Sequence, residues 1–541
     1  MIHRGTVVDI HSRELFLGEV VIDDGHIARI VRIRTGDGGP PYLMPGFVDA
    51  HVHIESSMLP PFEFSRRAAV HGTIATVSDP HEIANVLGVE GVTWMLSNAE
   101  SAVFPIMFGA PSCVPATHFE TAGAQLDSSA VADLLADERI GYLSEVMNYP
   151  AVLAGEPEIM AKIAAAKAVR KPIDGHAPGV RGSEAARYAS AGIQTDHECT
   201  TLDEALEKLA AGMAILIREG SAARNFEALH PLIELHPNRV MFCTDDLHPD
   251  ALVDGHINRL VARAVLTGYN LFDVLRAASV NPARHYRLPI GLLREGDCAD
   301  FIIVESLKSF DVSETYVAGN CVARDGQPLH PFHSCDTSNR WHAATVTSDD
   351  FRLVAQSSQI HVIGVRDGQL VTDHLVLAAP VQDGYYVPDP AEDLAMIAVV
   401  NRYTPAPPAI GFVRGFGLQR GALASSVAHD SHNIVAVGAS IDELVQAINA
   451  LVTCRGGLAV TEGSRCDVLP LPIAGLMSDR ESTHVAAAYS ALDARAKELG
   501  SALRAPLMTL SFMALLVIPA LKLSDRGLFD VERFELISLE A

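Results

Sequence analysis

Between residues 46 and 280, short β-branched runs alternate with Ala-rich amphipathic segments. The runs are FVDAHVHI (47–54), TIATVSDP (73–80), VFPIMFGA (103–110), IGYLSEV (140–146), PIDGHA (172–177), IQTDHE (193–198), MAILIREG (213–220) and RVMFCTDD (239–246). Segments such as PEIMAKIAAAKAVR (157–170) and TLDEALEKLAAG (201–212) carry helical periodicity between them. Strands separated by helices pair in parallel through crossovers, and eight such units predict a (β/α)8 TIM-type barrel.

The flanks read differently. Residues 1–45 give short strands (GTVVDI, GEVVIDDGHIARIVRI) before a GDGGPP turn, and GLLREGDCADFIIVE and ETYVAGNCVARDG (291–323) return to strands. They predict a small β-sandwich built from 1–45 plus 285–340, leaving 46–284 as the barrel. From 345 to 541 strands such as QIHVIGV and NIVAVG mix with helices such as SIDELVQAINALVTC. That region is expected to be a C-terminal α/β or α+β domain contributing to the mouth of the barrel. With 541 residues, two or three domains are the natural division. An aliphatic composition, 48% hydrophobic but 6% aromatic, suits α/β layers.

Charge and cysteine usage exclude some partners. With 41 basic against 66 acidic residues the chain carries −25, which argues against nucleic acid and against anionic membranes. Eight cysteines are scattered without a CxxC pair, so neither a disulfide framework nor a structural zinc knuckle is expected. MIHRGTVVDIHSREL has no apolar signal core, and the apolar PLMTLSFMALLVIPA (506–520) is too short to span a bilayer and contains Pro519. A cytoplasmic protein with 506–520 in its core is expected.

The polar residues fall at the C-terminal ends of the predicted strands, the rim where such barrels build their sites. His51 and His53 lie two apart on the first strand and so share a face. An isolated HxH is weak evidence, but His176 and His197 each end a later strand, Asp245 ends the eighth, and Glu145 ends the fourth with two oxygens able to bridge two ions. Imidazole and carboxylate at one rim predict a metal shell of His51, His53, Glu145, His176, His197 and Asp245.

These same stretches resemble the metal-dependent amidohydrolase superfamily: PGFVDAHVH (45–53), the single later histidines, the final aspartate and NPARHYRLPIGLLREGDCADFIIV (281–304). Within it the chain resembles the bacterial-type adenine deaminases. The more specific strings are HIESSM (53–58), SDPHEIANV (78–86), SEVMNYPAV (144–152), DGHAPG (174–179), TDHE (195–198), IREGSAARN (217–225), CTDDLHPD (243–250), GFGLQRGALASSVAHDSHNIVAVG (415–438) and LPLPIAGLMS (469–478). The resemblance spans essentially the whole chain. It implies two divalent ions, Mn(II) or Fe(II), with Zn(II) also compatible with the N/O ligand set. Where many relatives bridge with a carboxylated lysine, IGYLSEVMNY offers only Glu145. The implied reaction is hydrolytic deamination of adenine to hypoxanthine and ammonia, a step of purine salvage and adenine catabolism. Glu145 and Asp245 would be catalytic, with Asp245 moving the proton from the attacking water toward the leaving amine. The expected partner is a small purine base, and a homodimer is expected because large barrels of this kind often pair.

Asp79, His81 and Glu82 follow the second strand; they read either as substrate-binding or supporting groups or as a turn capped around Pro80. Arg218 and Glu219 end the seventh strand, as site groups or as an internal ion pair. His429, Asp430 and His432 form a dense cluster in AHDSHN and are expected to join the site. Cys199 and Cys243 lie two residues from ligand positions and read as packing. Another amidohydrolase, acting on a different aminated heterocycle or a cyclic amide, and a non-catalytic scaffold remain the alternatives from sequence.

Overall fold

All eight barrel strands are present, seven of them shorter than the apolar run that announced them and the fourth the same length: Phe47–Val52, Thr73–Ser78, Ile106–Ala110, Ile140–Val146, Ile173–Gly175, Thr195–Asp196, Ala214–Arg218 and Val240–Cys243. In six of the seven the polar residues at the C-terminal end leave the ladder, whereas the third is trimmed only at its N-terminal end. The architecture is that of a computed structural model describing residues 1–221 and 223–541. The first five strands pair in parallel in chain order, as do the last three. The ring is completed by two seams. Gln194 N donates to Ile173 O (2.9 Å) between the fifth and sixth strands, and a parallel bridge joins Val52 to Asp245 between the first and the eighth.

Local sequence explains the close packing. Gly46 opens the first strand because a Cβ there would sit 2.3 Å from the Ile74 side chain on its neighbour. Gly220, after the seventh strand, would meet the carbonyls of Thr244 and Asp246 at 2.3 and 2.5 Å. The helix Leu202–Ala210 is started by Thr201, whose hydroxyl accepts from Glu204 N. Outward-facing Phe47, Ile215, Ile217 and Phe242 pack on helix residues Ala205, Leu260, Val261 and Ala264, while Val48, Ala50, Ala75, Val77, Leu216 and Met241 cluster with Tyr142 and Tyr286. Cys199 and Cys243 each belong to one of these apolar clusters.

The two flanks meet in one eight-stranded sheet. Tyr42–Pro45 pairs in parallel with Ile2–Asp9 and antiparallel with Phe301–Val304. Val7, Phe16, Val20, Leu43, Phe301 and Tyr316 share one core there. This sheet belongs with the barrel to one compact unit, Met1–Pro80, Thr93–Cys113 and Asp127–His333.

The second unit is His81–Val92, Val114–Leu126 and Ser334–Ala541. It begins earlier than the expected 345 and takes in the two segments that follow the second and third barrel strands in the chain. Its centre is a second eight-stranded sheet, from Asp373–Ala378 at one edge to Arg465–Pro470 at the other. The helix Ile441–Cys454 covers it with Leu444, Ala447, Ile448 and Leu451, packed on Met396, Ala398, Ala436 and Ala459. The 506–520 run supplies the buried helix Pro506–Ser511 and further buried residues including Met513 and Leu516. Among the described residues, no helix is long and apolar enough to cross a membrane.

Candidate metal centre

The first and eighth strands cross at the rim. Asp245 N donates to His51 O (2.9 Å), and His53 N donates to Asp245 O (3.1 Å). Asp245 takes a left-handed backbone, φ +57°, which Asp tolerates better than most residues and which is often found at functional sites. Its Oδ1 lies 3.1 Å from His53 Nε2 and 3.4 Å from His51 Nε2.

Glu145 stands between two groups of histidines. Oε1 lies 3.5 Å from His53 Nε2, whereas Oε2 lies 2.8 Å from His176 Nδ1 and 3.0 Å from His197 Nε2. His51 and His197 stack with ring centroids 4.2 Å apart. His51, His53, Glu145, His197 and Asp245 are all at most 5% exposed. The ligand atoms of His51, His53 and Asp245 converge within 4.8 Å of one another, as do those of His51, Glu145 and His197, and those of His176, His197 and Glu198.

Ring tautomers test whether these residues suit a cation. His53 Nδ1 faces the Asp79 carbonyl at 3.2 Å. Donation there leaves the Nε2 lone pair aimed at the carboxylates, the usual arrangement of a ligating histidine. Both ring nitrogens of His51 and Nε2 of His197 are buried without a hydrogen-bond partner among the described residues. Buried polar atoms left in that state are costly unless something binds them. The donor set fits divalent ions on both sides of Glu145.

Two residues that sequence reading treated as secondary, or passed over, complete this centre. Arg218, 5% exposed, bonds Glu198 Oε1 and Asp245 Oδ2 through Nη1 and Glu198 Oε2 through Nη2 at 3.0 Å. Burial opposes the Glu198 charge, but Arg218, His176 and His197 outweigh it and hold that carboxyl at about 2. Asp245 is held well below the usual range: burial opposes its charge and Arg218 overrides it. Glu198 was missed although it directly follows His197 in TDHE. The available signal was Arg218 itself, a charge ending the otherwise apolar AILIR on the neighbouring strand, which needs a buried anion.

The remaining candidates are placed as follows. Asp79 contributes its carbonyl to His53, and its Oδ1 accepts from Ser144 Oγ at 2.8 Å. Glu219 is not brought to this cluster: Oε1 accepts from Phe226 N (3.2 Å), Oε2 pairs with Arg263 (2.5 Å), and it lines a separate cavity of about 280 Å³. In the second unit Glu82 accepts from His429 Nδ1 at 2.5 Å and from His432 Nε2, with His81 Nε2 3.5 Å away. These imidazoles, together with His81, hold Glu82 well below the carboxylate range against the opposing effect of burial. His432 Nδ1 accepts from Ala428 N (3.2 Å), so the ring proton sits on Nε2. A nitrogen that carries its proton does not ligate, so this trio reads as a hydrogen-bonded cluster. Asp430 is buried there beside Glu120, another residue sequence reading passed over; burial and the Asp430 charge push Glu120 up to about 8.

Residues 42–322 match the model of the amidohydrolase family, and residues 369–535 match that of the adenine deaminase C-terminal domain. The chain is 56% identical over 536 residues to an adenine deaminase of Salinibacter ruber, covering 98% of each chain. It is 53% identical to one from a Sulfurovum species, covering 99% of this chain and 98% of the relative, and 44% identical to one from Borreliella burgdorferi, covering 97% of each.

Proposed function

The chain belongs to the adenine deaminase family of metal-dependent amidohydrolases, and we infer from this that it hydrolyses adenine to hypoxanthine and ammonia at its barrel rim. The observation that carries the siting is the convergence of four histidines on the two oxygens of Glu145, with Asp245 closing one side.

His51, His53 and Asp245 would hold one divalent ion and His176 and His197 a second, with Glu145 between them. Mn(II) or Fe(II) is the choice the family resemblance implies, and the N/O set accommodates either as well as zinc. Bound there, the ions supply Lewis-acid activation of water at neutral pH. The residues of the chain do the rest. Asp245 stays ionised because Arg218 holds Oδ2, which keeps Oδ1 free of a proton and ready to take one from the attacking water. That proton then passes to the amine leaving C6 of the purine. Glu198 grips Arg218 by a buried, two-pronged contact, and Arg218 holds Asp245 through Nη1, so the orientation of Asp245 costs little when the reaction begins. The overall balance is adenine plus water giving hypoxanthine plus ammonia.

The test is ammonia release by Mn(II)-reconstituted protein offered adenine, adenosine, guanine or cytosine, with bound metal counted in parallel. Turnover of adenine with two metal equivalents is the expected result. A protein that binds metal yet leaves adenine untouched would overturn the substrate, and one that binds none would overturn the site.

A further inference from the structure

Asp49 precedes His51 by two residues yet meets different partners. The register of the first strand against the second shifts between Asp49 and Val52. His51 is directed to Asp245 and His197 at the rim, whereas Asp49 reaches Thr244 and His256. Its carboxylate is fully buried. Oδ1 accepts from Thr244 N at 3.0 Å, Oδ2 accepts from Thr244 Oγ1, and His256 Nε2 lies 3.0 Å from Oδ2. On the far side of the imidazole, Thr73 Oγ1 lies 2.6 Å from Nδ1. Nε2 does not meet hydrogen-bond geometry with Asp49, so His256 faces the carboxylate as a close, buried electrostatic neighbour.

This contact sits at one of the two seams where the barrel strands lack a full ladder. The first and eighth strands share a single bridge, Val52 with Asp245, rather than a ladder. Thr244 N–H, which a ladder would engage, is taken by a side chain instead. The residue after Thr244 is Asp245, and two after Asp49 is His51. One carboxylate therefore sets the separation of the two backbones that deliver His51, His53 and Asp245. His176, His197 and Glu198 come from the fifth and sixth strands, away from this seam.

We propose that Asp49, bonded to Thr244 and faced by His256, is a positioning residue for one half of the metal centre, the half made by His51, His53 and Asp245. The inference rests on the two-ion reading of the rim. Removing groups that orient ligands typically weakens metal binding by about 10–100-fold. Here the loss falls on one ion of the two, because the seam carries the ligands of only one.

A cavity of about 280 Å³ lined in part by Cys243, Thr244 and His256 adjoins this position, and His256→Ala would enlarge it by the volume of the ring. Metal-free full-length protein, Asp49→Asn and His256→Ala are titrated with Mn(II), free ion being followed by its paramagnetic resonance and bound ion by elemental analysis. The expected result is one equivalent bound as in the unmodified chain and a second weakened about 10–100-fold, with imidazole restoring the second in His256→Ala. Unchanged binding of both equivalents overturns the proposal, as does equal weakening of both, or a variant whose metal-free far-UV spectrum shows it no longer folds. If the unmodified chain binds no metal, it is the two-ion reading that fails.

Discussion

Replacing Arg218 with Met keeps the aliphatic stem and removes the guanidinium that holds two buried carboxylates. Glu198 rests at about 2 against an ordinary value of 4.5. That gap corresponds to roughly 3 kcal/mol at about 1.4 kcal/mol per unit. Burial acts against the Glu198 charge, so without Arg218 only His176 and His197 oppose it. Removing one partner of a buried ion pair costs about 3–5 kcal/mol in general, and the depressed Glu198 value has the sign that this loss requires. The sign follows from the direction of the shift. A carboxyl depressed by folding contributes its full stability above about pH 4.5 and loses it as the pH falls toward 2. The deficit of Arg218→Met is therefore largest near neutrality and shrinks in acid. Bound cations supply positive charge to the same carboxylates, so the deficit also shrinks when metal is present. Urea unfolding in a chelator at pH 7 and at pH 3, and again with Mn(II) at pH 7, measures all three. Equal midpoints for the two chains in chelator at pH 7 would refute the reasoning, and so would a deficit indifferent to pH.

Lys208 is fully buried, with Nζ 2.9 Å from Glu204, 3.1 Å from Asp196 and 2.6 Å from the Ala177 carbonyl. Lys208→Met should cost about 3–5 kcal/mol in urea unfolding, and a neutral result would show that the ion pairs do not hold the fifth and sixth strand ends. Glu82→Gln weakens two charge-assisted bonds, each worth about 1.5–3 kcal/mol; amide exchange across 428–433 should speed up, and unchanged exchange would count against the cluster's role. Burial pushes Lys522 down to about 7, with Leu370 O and Phe512 O as its acceptors at 2.8 and 3.0 Å. Because folding lowers this pKa, the unfolded chain binds the extra proton between pH 7 and about 10, and stability rises with pH across that window by up to about 1.4 kcal/mol per unit. Lys522→Met should flatten that slope relative to the unmodified chain, and parallel slopes would dismiss it.

Much of the barrel was legible because its signal is local. An apolar run between amphipathic segments marks a strand whatever its neighbours do, and all eight were found. Their ends were overextended. Thr195–Asp196 pairs over two residues where IQTDHE suggested six, since His197 and Glu198 turn away to serve the rim. The second unit was less legible. His81–Val92 and Val114–Leu126 group with residues beyond 334 through contacts such as Glu82 with His429, more than 340 positions apart. No periodicity in either segment encodes that distance. The two-apart rule placed His51 and His53 together, but the register shift beside Asp49 breaks the rule one step earlier in the same strand.

The histidines were found because a histidine at a strand end is unusual by itself, whereas Glu198 and Arg218 acquire meaning only as a pair on adjacent strands. Their importance lies in the charge balance of the centre. Glu145, Glu198, Asp245 and Asp79 are buried carboxylates of this centre, and Arg218 brings one positive charge to them. A buried excess of negative charge is too costly to stand alone. In the metal-free chain part of it is met by His176: burial disfavours its proton, yet Glu198 and Glu145 push it up to about 9. Divalent ions at the proposed centre would meet the excess more completely and would leave the ligating histidines neutral, as ligation requires. Glu198 and Arg218 thus set the charge that metals at the proposed centre would balance, and a site built from the six proposed ligands alone would misjudge it.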